Sequence, residues 1–551
     1  MNLKQWKDKV IYQIFPKSFY DANNDGSGDL LGIIKKLDYI KSLNVDVIWL
    51  CPIYKTDFAD AGYDVLDYFA IWEKFGTLAD FELLVQEAKK RDMEIMLDIV
   101  LNHTSKSHPW FKKALESENN LEHNYYIWAD KPNNAESIFG GSAWEYVPHL
   151  KKYYFHLFAK EQVDLNWSHP KTIEAMASII NFWYNLGIRC FRLDAIQHVN
   201  KEFTDQGVIH SFGENMVLYL QRFLDLILKD KKDILFVGEA SAINHDKILQ
   251  YAQGKDKISS SFYNFSWWWI GWSKSTGRNG YDANWKIQDF AHKDMIKIQN
   301  NKKIDTNFLT NFLTNHDTSR AISRWGNENI FWKESAKSLA LLQFGTKGAQ
   351  VIYFGEEIGM LNPNFQNCHE FRDVDALVAY DIFVNQKQVY SENEMTKYLA
   401  INGRDNSRYP MQWDKNKPNF GFNKGTKTWI KTGRSEKPNF VNEQENDPTS
   451  ILNFYRQLTK LRQAPEYKDI WINGTQKMSL KANDLIIFQK TKANKKLLFL
   501  INISGKEILN IKKFNFTKLI LDSYDDNKIF NYSLRPYESK VFFIEENKGN
   551  K

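Results

Sequence analysis

Four carboxylate residues stand near the ends of four short apolar stretches that are widely separated along the chain. They are Asp98, Asp194, Glu239 and Asp317. Two carboxyl groups can hydrolyse a glycosidic bond together, one acting as the acid and the other as the nucleophile or base. If the four stretches are neighbouring strands of one parallel barrel, their ends meet at one rim and the carboxylates form a single site.

Arg192 precedes Asp194 by two positions in one of these stretches, "GIRCFRLDAIQHV" (187–199). Side chains two positions apart on a strand point the same way, so this could be a buried ion pair and nothing more. Carboxylates on four different strands are better explained by one shared site than by several independent ion pairs. In that site Arg192 would keep Asp194 ionised as a nucleophile, and burial would keep Glu239 protonated as the acid.

The elements that must position these residues alternate between short strand-like stretches and helical patterns. The eight candidate strands are 10–19, 45–50, 94–100, 188–196, 234–240, 260–265, 312–317 and 349–359. Thr77 is a predicted N-cap of a helix over 77–93, and Gly187 a predicted end of the helix over 171–186. Eight alternating units indicate an α/β fold, a (β/α)₈ TIM barrel, whose functional residues lie at the C-terminal ends of its strands.

Two segments depart from this alternation. The segment 104–171, after the third strand, is too long for an ordinary loop and is rich in aromatic residues, so we predict a small inserted domain. From 473 to 551 short β stretches follow one another, which predicts a C-terminal antiparallel β domain with a β-sandwich architecture. The barrel itself is then expected to comprise 1–103 and 172–472.

The composition is that of an ordinary globular protein. The 551 residues are 43% hydrophobic and 25% charged, with a formal net charge of +6. No basic patch stands out, so no nucleic-acid partner is expected, and no apolar stretch approaches the ~18 residues of a membrane helix. Three cysteines and an N-terminus without a signal-peptide pattern predict a cytoplasmic protein, which we expect to be a monomer without disulfides.

Several motifs resemble the α-amylase family of glycoside hydrolases, family 13. "DIVLNH", "FRLDA", "VGEA" and "LTNHD" resemble its four signature regions, in the family's order. "AGYDVLDY", "GEEIGM" and "GRDNSRYPMQW" resemble the branch that holds oligo-1,6-glucosidase, α-glucosidase, dextran glucosidase and trehalose-6-phosphate hydrolase. The resemblance implies a barrel with an inserted domain and a C-terminal β domain. It also implies Asp194 as the nucleophile, Glu239 as the acid/base and Asp317 as the transition-state stabiliser.

The resemblance further implies which side chains surround the terminal glucose of the substrate. They are Tyr63, Asp64, His103, Phe139, Phe158, Arg192, His316 and Arg404. Asp64 and Arg404 would close the bottom of the pocket, and Phe139 and Phe158 would wall it from the inserted domain. The expected activity is that of an exo-acting, retaining α-glucosidase on short oligosaccharides or disaccharides.

Two other classes of function fit the same residues less well. A metal-dependent barrel hydrolase commonly uses a His-x-His pair, and none of the 12 histidines has that spacing. A catalytically dead sugar-binding or transporter-associated relative would be expected to lack one of the carboxylates, and this chain has all of them.

A second potential site is the loop "DANNDGSGD" (21–29). Its alternating oxygen-bearing residues follow the start of an EF-hand loop, namely Asp21, Asn23, Asp25, Ser27 and Asp29. The twelfth position is Gly32 rather than Glu, so this is not a full EF-hand, and such residues also favour turns that bind nothing. Similar loops in the resembling branch hold calcium. We therefore predict a structural Ca²⁺ here and no cofactor for catalysis.

One residue beside the nucleophile indicates which linkage would be cleaved. Ala195 follows the nucleophile, where relatives that cleave α-1,6 bonds mostly carry valine, so the smaller residue favours α-1,4 bonds. Oligo-1,6-glucosidase and trehalose-6-phosphate hydrolase stay open as alternatives. A phosphate needs basic partners, and Lys274, Arg278 and Lys286 follow the sixth strand.

Overall fold

The centre of the molecule is a closed barrel of eight parallel strands, seen in a computed structural model that describes residues 3–303, 308–526 and 528–546. The strands are β1 (Val10–Ile14), β2 (Val47–Leu50), β3 (Glu94–Val100), β4 (Cys190–Asp194), β5 (Leu235–Gly238), β6 (Ser261–Asn264), β7 (Leu309–Asn311) and β8 (Ala349–Tyr353). Each strand pairs with the next along the chain, and β8 closes on β1. The predicted barrel fold is confirmed.

One helix or helix pair follows each barrel strand. These helices are Leu30–Lys35 with Leu37–Ser42, Leu78–Lys90, Pro170–Asn185, Met216–Leu228, His245–Ala252, Lys293–Asn300, Trp332–Phe344 and Ile451–Gln463. Thr77 caps its helix through a reciprocal pair of hydrogen bonds with Asp80, as predicted. Gly187 follows the end of helix Pro170–Asn185 with a φ of +99°, a conformation that glycine adopts without strain.

Shorter elements complete the molecule. The other α-helices are Pro16–Phe19, Pro109–Glu116, Ala321–Trp325, Val374–Tyr380, Glu392–Asn402, Asp405–Arg408, Val441–Gln444 and Pro465–Asn473. The small two-stranded sheets are Tyr54–Thr56 with Val65–Ile71, His103–Ser105 with Gln162–Asp164, Glu202–Thr204 with Gly207–Ile209, and Trp272–Ser273 with Gly277–Tyr281. None of the helices that the structure describes is both long and apolar enough to cross a bilayer.

The barrel strands are buried on both faces, as the largely apolar sequence of most of them predicts. Inside the barrel Trp6, Trp49, Tyr263, Phe312 and Val351 belong to one buried cluster. A larger cluster fills the space between the strands and the surrounding helices. The interior is therefore a packed core, and the chemistry is confined to the rim.

Strand β7 lies three residues earlier than predicted. The sequence repeats itself as "FLTNFLTN" over 308–315, and the expected strand, 312–317, begins in the second copy. The structure pairs the first copy instead, with Leu309, Thr310 and Asn311 hydrogen-bonded between β6 and β8. The second copy becomes the loop that carries His316 and Asp317.

The predicted inserted segment contains a three-stranded sheet over Trp128–Ala129, Lys152–Phe155 and Trp144–Val147. It is tied to the barrel by a buried ion pair, in which Lys201 Nζ lies 2.5 Å from Asp164 Oδ2. The same ammonium lies 2.5 Å from Asn102 Oδ1, at the end of β3. These contacts hold the inserted segment over the rim of the barrel.

The C-terminal region differs from the predicted β-sandwich. Its strands β9 (Thr475–Leu480), β10 (Ile486–Lys492), β11 (Lys495–Ile501), β12 (Lys518–Asp522) and β13 (Ser539–Glu545) form one antiparallel sheet in the order β9-β10-β11-β13-β12. Irregular chain that carries Ile508, Ile511, Phe530 and Leu534 covers one face, where a second sheet was expected. Within the described residues, the regular pairing of this irregular chain is one β-bridge, between Ile508 and Leu534. Residues 527 and 547–551 of the predicted domain lie outside the described residues.

Candidate active site

The C-terminal ends of the barrel strands surround a cavity of about 300 Å³. Eight of the eleven residues expected around the substrate line it, namely Tyr63, His103, Phe139, Phe158, Asp194, Glu239, Asp317 and Arg404. Arg192 and His316 lie behind the wall, where both are fully buried. The structure thus brings together at one rim residues that are more than 300 positions apart.

Arg192 is the hub of the charged cluster, because three carboxylates meet its guanidinium. In the register of the barrel Arg192 lies opposite Asp98 of β3, and its Nη1 is 2.6 Å from Asp98 Oδ1. The same Nη1 is 2.6 Å from Asp194 Oδ1, and Nη2 is 2.9 Å from Glu239 Oε2. One cation therefore aligns the two expected catalytic carboxyl groups.

Burial raises the pKa of the Asp194 carboxyl, and the negative charges of Glu239 and Asp98 raise it further against the lowering by Arg192. Burial also raises the pKa of Asp98, although Arg192 and His316 lower it. The expectation that Arg192 holds the pKa of Asp194 low is therefore wrong, because burial and two further carboxyl groups outweigh the guanidinium. A cluster of this kind holds a proton at a pH where isolated carboxyls would have lost it.

Asp317 has the opposite electrostatic environment. Burial by itself would raise the pKa of Asp317, but His316, Arg404 and Arg408 hold it well below its usual range. Its Oδ1 is 2.8 Å from Arg408 Nη2 and 3.2 Å from Arg404 Nη1. Asp317 raises the pKa of His316 to about 10 against the lowering by burial. Asp317 thus carries a full negative charge next to the cavity.

The floor of the cavity is closed by an ion pair between Arg404 and Asp60. Arg404 Nη2 lies 2.9 Å from Asp60 Oδ1, and Gln162 Nε2 donates to Asp60 Oδ2 at 3.0 Å. Asp373 holds the guanidinium from behind, with its Oδ2 2.8 Å from Arg404 Nε. The cavity ends at this network, which leaves room for a chain end and none for a chain that continues.

Asp60 takes the place that the sequence had assigned to Asp64. Asp64 is completely buried behind the cavity, and its Oδ1 accepts the backbone N–H of Asp60 at 2.9 Å. The two residues flank the turn that precedes Val65–Ile71, so both are close to the rim and the loop decides which one faces the cavity. The prediction for Asp64 is wrong, and its carboxylate supports Asp60 from below.

Aromatic rings form the side walls of the closed end. Tyr63 stacks on His316 with ring centroids 5.1 Å apart, and its hydroxyl donates to Asp98 Oδ2 at 2.8 Å. Phe139 and Phe158 are in edge contact at 5.8 Å, and Phe158 meets His103 at 5.4 Å. Rings held in this way give the flat apolar surface that the CH face of a sugar requires.

The open end of the cavity has a different lining. Trp268, Trp269 and Trp272 stand on its wall, and the indole of Trp269 is 52% exposed. Arg278 also lines this end, but its Nε is 2.7 Å from Asp375 Oδ2, so its charge is already neutralised. Ala195 lies between the two ends, with its backbone N–H donating to Glu239 Oε2 at 2.9 Å.

The loop 21–29 folds around its own oxygen atoms. Asp21 accepts the N–H groups of Asn24 and Gly26 at 2.7 and 2.8 Å, and Asn23 accepts that of Asp25 at 2.9 Å. Asp29 accepts the N–H groups of Ala22 and Asn23 at 2.9 and 3.2 Å.

The charge of this loop fits a cation. Asp21 and Asp29 are buried, and neither forms an ion pair with a Lys or Arg among the residues described, whereas Asp25 Oδ2 lies 3.7 Å from Lys74 Nζ. The one described set of three Cys, His, Asp or Glu ligand atoms within 4.8 Å of one another is Cys368, His369 and Glu392. The loop therefore offers the donor atoms that a cation needs, together with an unbalanced charge. Its carboxylate oxygens do not lie as close to one another as the ligand atoms of Cys368, His369 and Glu392.

Several functional residues were missed in the sequence. They are Asp60, Asp373 and Arg408 at the closed end and Trp268, Trp269 and Trp272 at the open end. Arg408 had a detectable signal, because it follows Arg404 by one helical turn in "GRDNSRYPMQW". The tryptophans had none, because a loop sequence does not reveal which way the loop folds over the rim.

Comparisons with known proteins agree with the fold and the site. A sequence model described as the alpha-amylase catalytic domain matches residues 13–469. An oligo-1,6-glucosidase of Parageobacillus thermoglucosidasius is 35% identical, with 98% of this chain and 99% of that protein covered. The structure superposes on a trehalose-6-phosphate hydrolase of Bacillus licheniformis with a TM-score of 0.88, at 34% identity over 98% of this chain and 100% of the other.

A third similar structure has another activity. An isomaltulose synthase of Erwinia rhapontici NX5 superposes with a TM-score of 0.90, at 31% identity over 98% of this chain and 99% of the other. Proteins of nearly equal similarity thus act on different sugars. The substrate has to be argued from the residues of this site.

Proposed function

Because the chain belongs to the α-amylase family of glycoside hydrolases, we propose that it removes terminal glucose from short α-glucosides with retention of configuration. One observation carries the exo-acting part of this proposal: the ion pair of Asp60 and Arg404 closes the cavity at 2.9 Å, directly beside the catalytic carboxyls. A sugar that reaches Asp194 has nowhere to extend beyond that pair. The bond presented to the carboxyls is therefore that of the terminal unit.

The proposed reaction divides between two carboxyl groups held by Arg192. Asp194 Oδ1 is bound to Arg192, which leaves Oδ2 to attack the anomeric carbon of the terminal glucose. Glu239 accepts both of its hydrogen bonds, from Arg192 and from the backbone of Ala195, on Oε2. Its Oε1 is left to carry the proton that passes to the oxygen of the leaving sugar as the glycosidic bond breaks.

The second half of the reaction reverses these roles. Water gives a proton to the carboxylate of Glu239, and the oxygen of this water attacks the anomeric carbon. The attack breaks the bond between the anomeric carbon and Asp194. The ionised Asp317 stabilises the positive charge that develops on the sugar ring in both steps. Two displacements at one carbon leave the anomeric configuration unchanged.

We propose a preference for α-1,4 bonds, which is supported by the shape of the site at Ala195. Ala195 lines the cavity beside the position proposed for the leaving sugar, and it has a left-handed backbone with a φ of +49°. A β-branched residue is disfavoured in that conformation. The methyl group of Ala195 keeps the entrance wide on the side of Glu239.

The proposed substrate carries no phosphate. Of the three basic residues that could hold one, only Arg278 lines the cavity, and Asp375 already neutralises it. Lys274 and Lys286 line the adjoining cavity, where the carboxylates of Asp282, Asp289 and Asp294 outnumber them. A charge-neutral, aromatic open end favours a neutral sugar over a phosphorylated one.

We also propose that the loop 21–29 holds a structural Ca²⁺ through oxygen atoms of Asp21, Asn23, Asp25 and Asp29 and the backbone carbonyl of Ser27. The buried charges of Asp21 and Asp29 support this proposal.

The cytoplasm stays the proposed location, because Cys51, Cys190 and Cys368 all have free thiols, as in a reducing compartment. A monomer likewise stays a proposal.

The test of the proposed function is a hydrolysis assay with maltose, isomaltose, sucrose and trehalose 6-phosphate. The proposal expects the highest kcat/KM for maltose, and ¹H NMR during the first turnovers should detect α-glucose as the first product. Faster hydrolysis of trehalose 6-phosphate than of maltose would reject the neutral substrate. β-Glucose as the first product would reject the two-step mechanism.

A further inference from the structure

A second cavity, of about 710 Å³, adjoins the open end of the active site. Trp269 and Trp272 line both cavities, so they form the wall and the passage between them. Trp285 lies only in the second cavity. The volume of the second cavity falls in the range of about 300–1,000 Å³ that is usual for ligand sites.

The tryptophan wall is built rigidly. Arg324 is buried behind it, and its Nη2 donates to the backbone carbonyls of Trp268 and Ile270, both at 2.9 Å. The rings of Trp269 and Trp272 are in perpendicular contact with centroids 5.1 Å apart. The loop is thereby fixed from inside while the ring of Trp269 stays half-exposed toward the two cavities.

The second cavity lies on the side from which the leaving group departs. Glu239 and Ser241 line the active-site cavity, and the residues that follow them directly, from Ala242 to Asn244, line the second one. In the proposed mechanism Glu239 protonates the bridging oxygen of the leaving sugar. The reducing-end part of a substrate therefore points from Glu239 toward Trp269 and the second cavity.

The lining has the chemistry of a sugar site. The indoles of Trp269, Trp272 and Trp285 offer flat apolar faces, and Asp282 and Asn284 offer hydrogen-bond partners for hydroxyl groups. We propose that this cavity binds the reducing-end glucose units of substrates with three or more units, with Trp285 as its stacking residue. The inference rests on the proposed function, since it assigns the rest of the same substrate.

The experiment compares kcat/KM for maltose, maltotriose and maltotetraose in the wild type and in Trp285→Ala. The wild type should prefer maltotetraose to maltose, and the variant should lose about fivefold on maltotetraose while staying within about twofold on maltose. Trp285→Phe should recover part of the loss, because it restores an aromatic face. Tyr146→Ala is the matched control, since Tyr146 is 51% exposed and lines neither cavity.

Binding of maltose and maltotetraose to the Asp194→Asn variant, measured by tryptophan fluorescence, separates this inference from the proposed function. If the wild type cleaves no member of the maltose series, the proposed function fails, and the fluorescence titration decides the inference. Tighter binding of maltotetraose than of maltose, lost with Trp285→Ala, supports the second cavity. An unchanged chain-length profile in Trp285→Ala, by kinetics or by titration, overturns it.

Discussion

The closed and open ends of the active-site cavity are built from different materials. At the closed end Asp60, Arg404, Asp373, Arg408 and Asp317 form a continuous network of buried ion pairs. At the open end tryptophans line the wall, and the one basic residue there, Arg278, is paired with Asp375. We propose that the closed end recognises its ligand by fixed charges and the open end by aromatic surface.

This difference explains how one site can be strict and tolerant at once. Buried, paired charges have fixed positions, so they accept a sugar whose hydroxyl groups match and reject one whose groups do not. An indole face accepts any sugar that presents a CH surface. We therefore expect strict selection of the terminal glucose and weaker selection of the sugar to which it is attached.

The largest expected effect comes from Glu239→Gln, at the boundary between the two ends. The variant cannot donate a proton to the leaving oxygen, so kcat/KM on maltose should fall by about 10²–10⁴-fold. An α-glucoside with a dinitrophenyl leaving group, which departs without protonation, should recover most of the rate. Asp194→Asn is the matched control, because it should be slow on both substrates. Equal losses on maltose and on the dinitrophenyl substrate in Glu239→Gln would remove its assignment as the acid.

A smaller loss is expected from Asp60→Asn, which breaks the closed end. Removing the charge that faces Arg404 Nη2 should raise KM and lower kcat/KM on maltose by about 10–100-fold. Asp64→Asn is the control, because Asp64 lies behind the cavity and an asparagine oxygen can still accept the N–H of Asp60. If Asp64→Asn raises KM more than Asp60→Asn does, the reassignment of the two residues is wrong.

Ala195→Val narrows the passage from the closed to the open end. Contacts of one or two methyl groups change discrimination by roughly 1–3 kcal/mol, so the ratio of isomaltose to maltose kcat/KM should rise several-fold. Valine is β-branched and is disfavoured more than alanine at a φ of +49°, so the melting temperature should also fall. This ratio is measured for the wild type and the variant, well below the melting temperature of either. An unchanged ratio would show that the linkage preference is set elsewhere.

The smallest effect on activity is expected from removing calcium. The loop 21–29 contributes no residue to either end of the active-site cavity, so chelation should leave kcat at 25 °C unchanged. The melting temperature should fall by about 2–4 °C and return when Ca²⁺ is added. Asp25→Asn should reduce this response. A melting temperature that ignores chelator and Ca²⁺ alike would remove the metal from the account.

The closed end could be predicted from the sequence better than the open end. Asp194 and Glu239 stand at or just after strands β4 and β5, and a barrel fixes where strand ends lie. Asp60 was missed because it lies on a loop, where two acidic residues four positions apart both approach the rim. Periodicity fixes the strands, but the path of a loop depends on what it packs against.

The tryptophan wall shows that limit most clearly. Trp269 is half-exposed in a segment whose composition alone would bury it, and Arg324, on a different element, donates to the backbone carbonyls on either side of it. Strand β7 is a second case, because "FLTNFLTN" offers two equal copies and only pairing with β6 and β8 selects the first. In both cases contacts distant in the sequence decided the outcome.

The central claim is that Asp194, aligned by Arg192 beside the closed end, is the nucleophile. It is tested most directly by trapping the covalent intermediate with 5-fluoro-α-D-glucosyl fluoride and locating the label by peptide mass spectrometry. One glucosyl label should appear on Asp194 of the wild type, and none in Asp194→Asn. A label on Glu239 or Asp317, or on any residue other than Asp194, would contradict it.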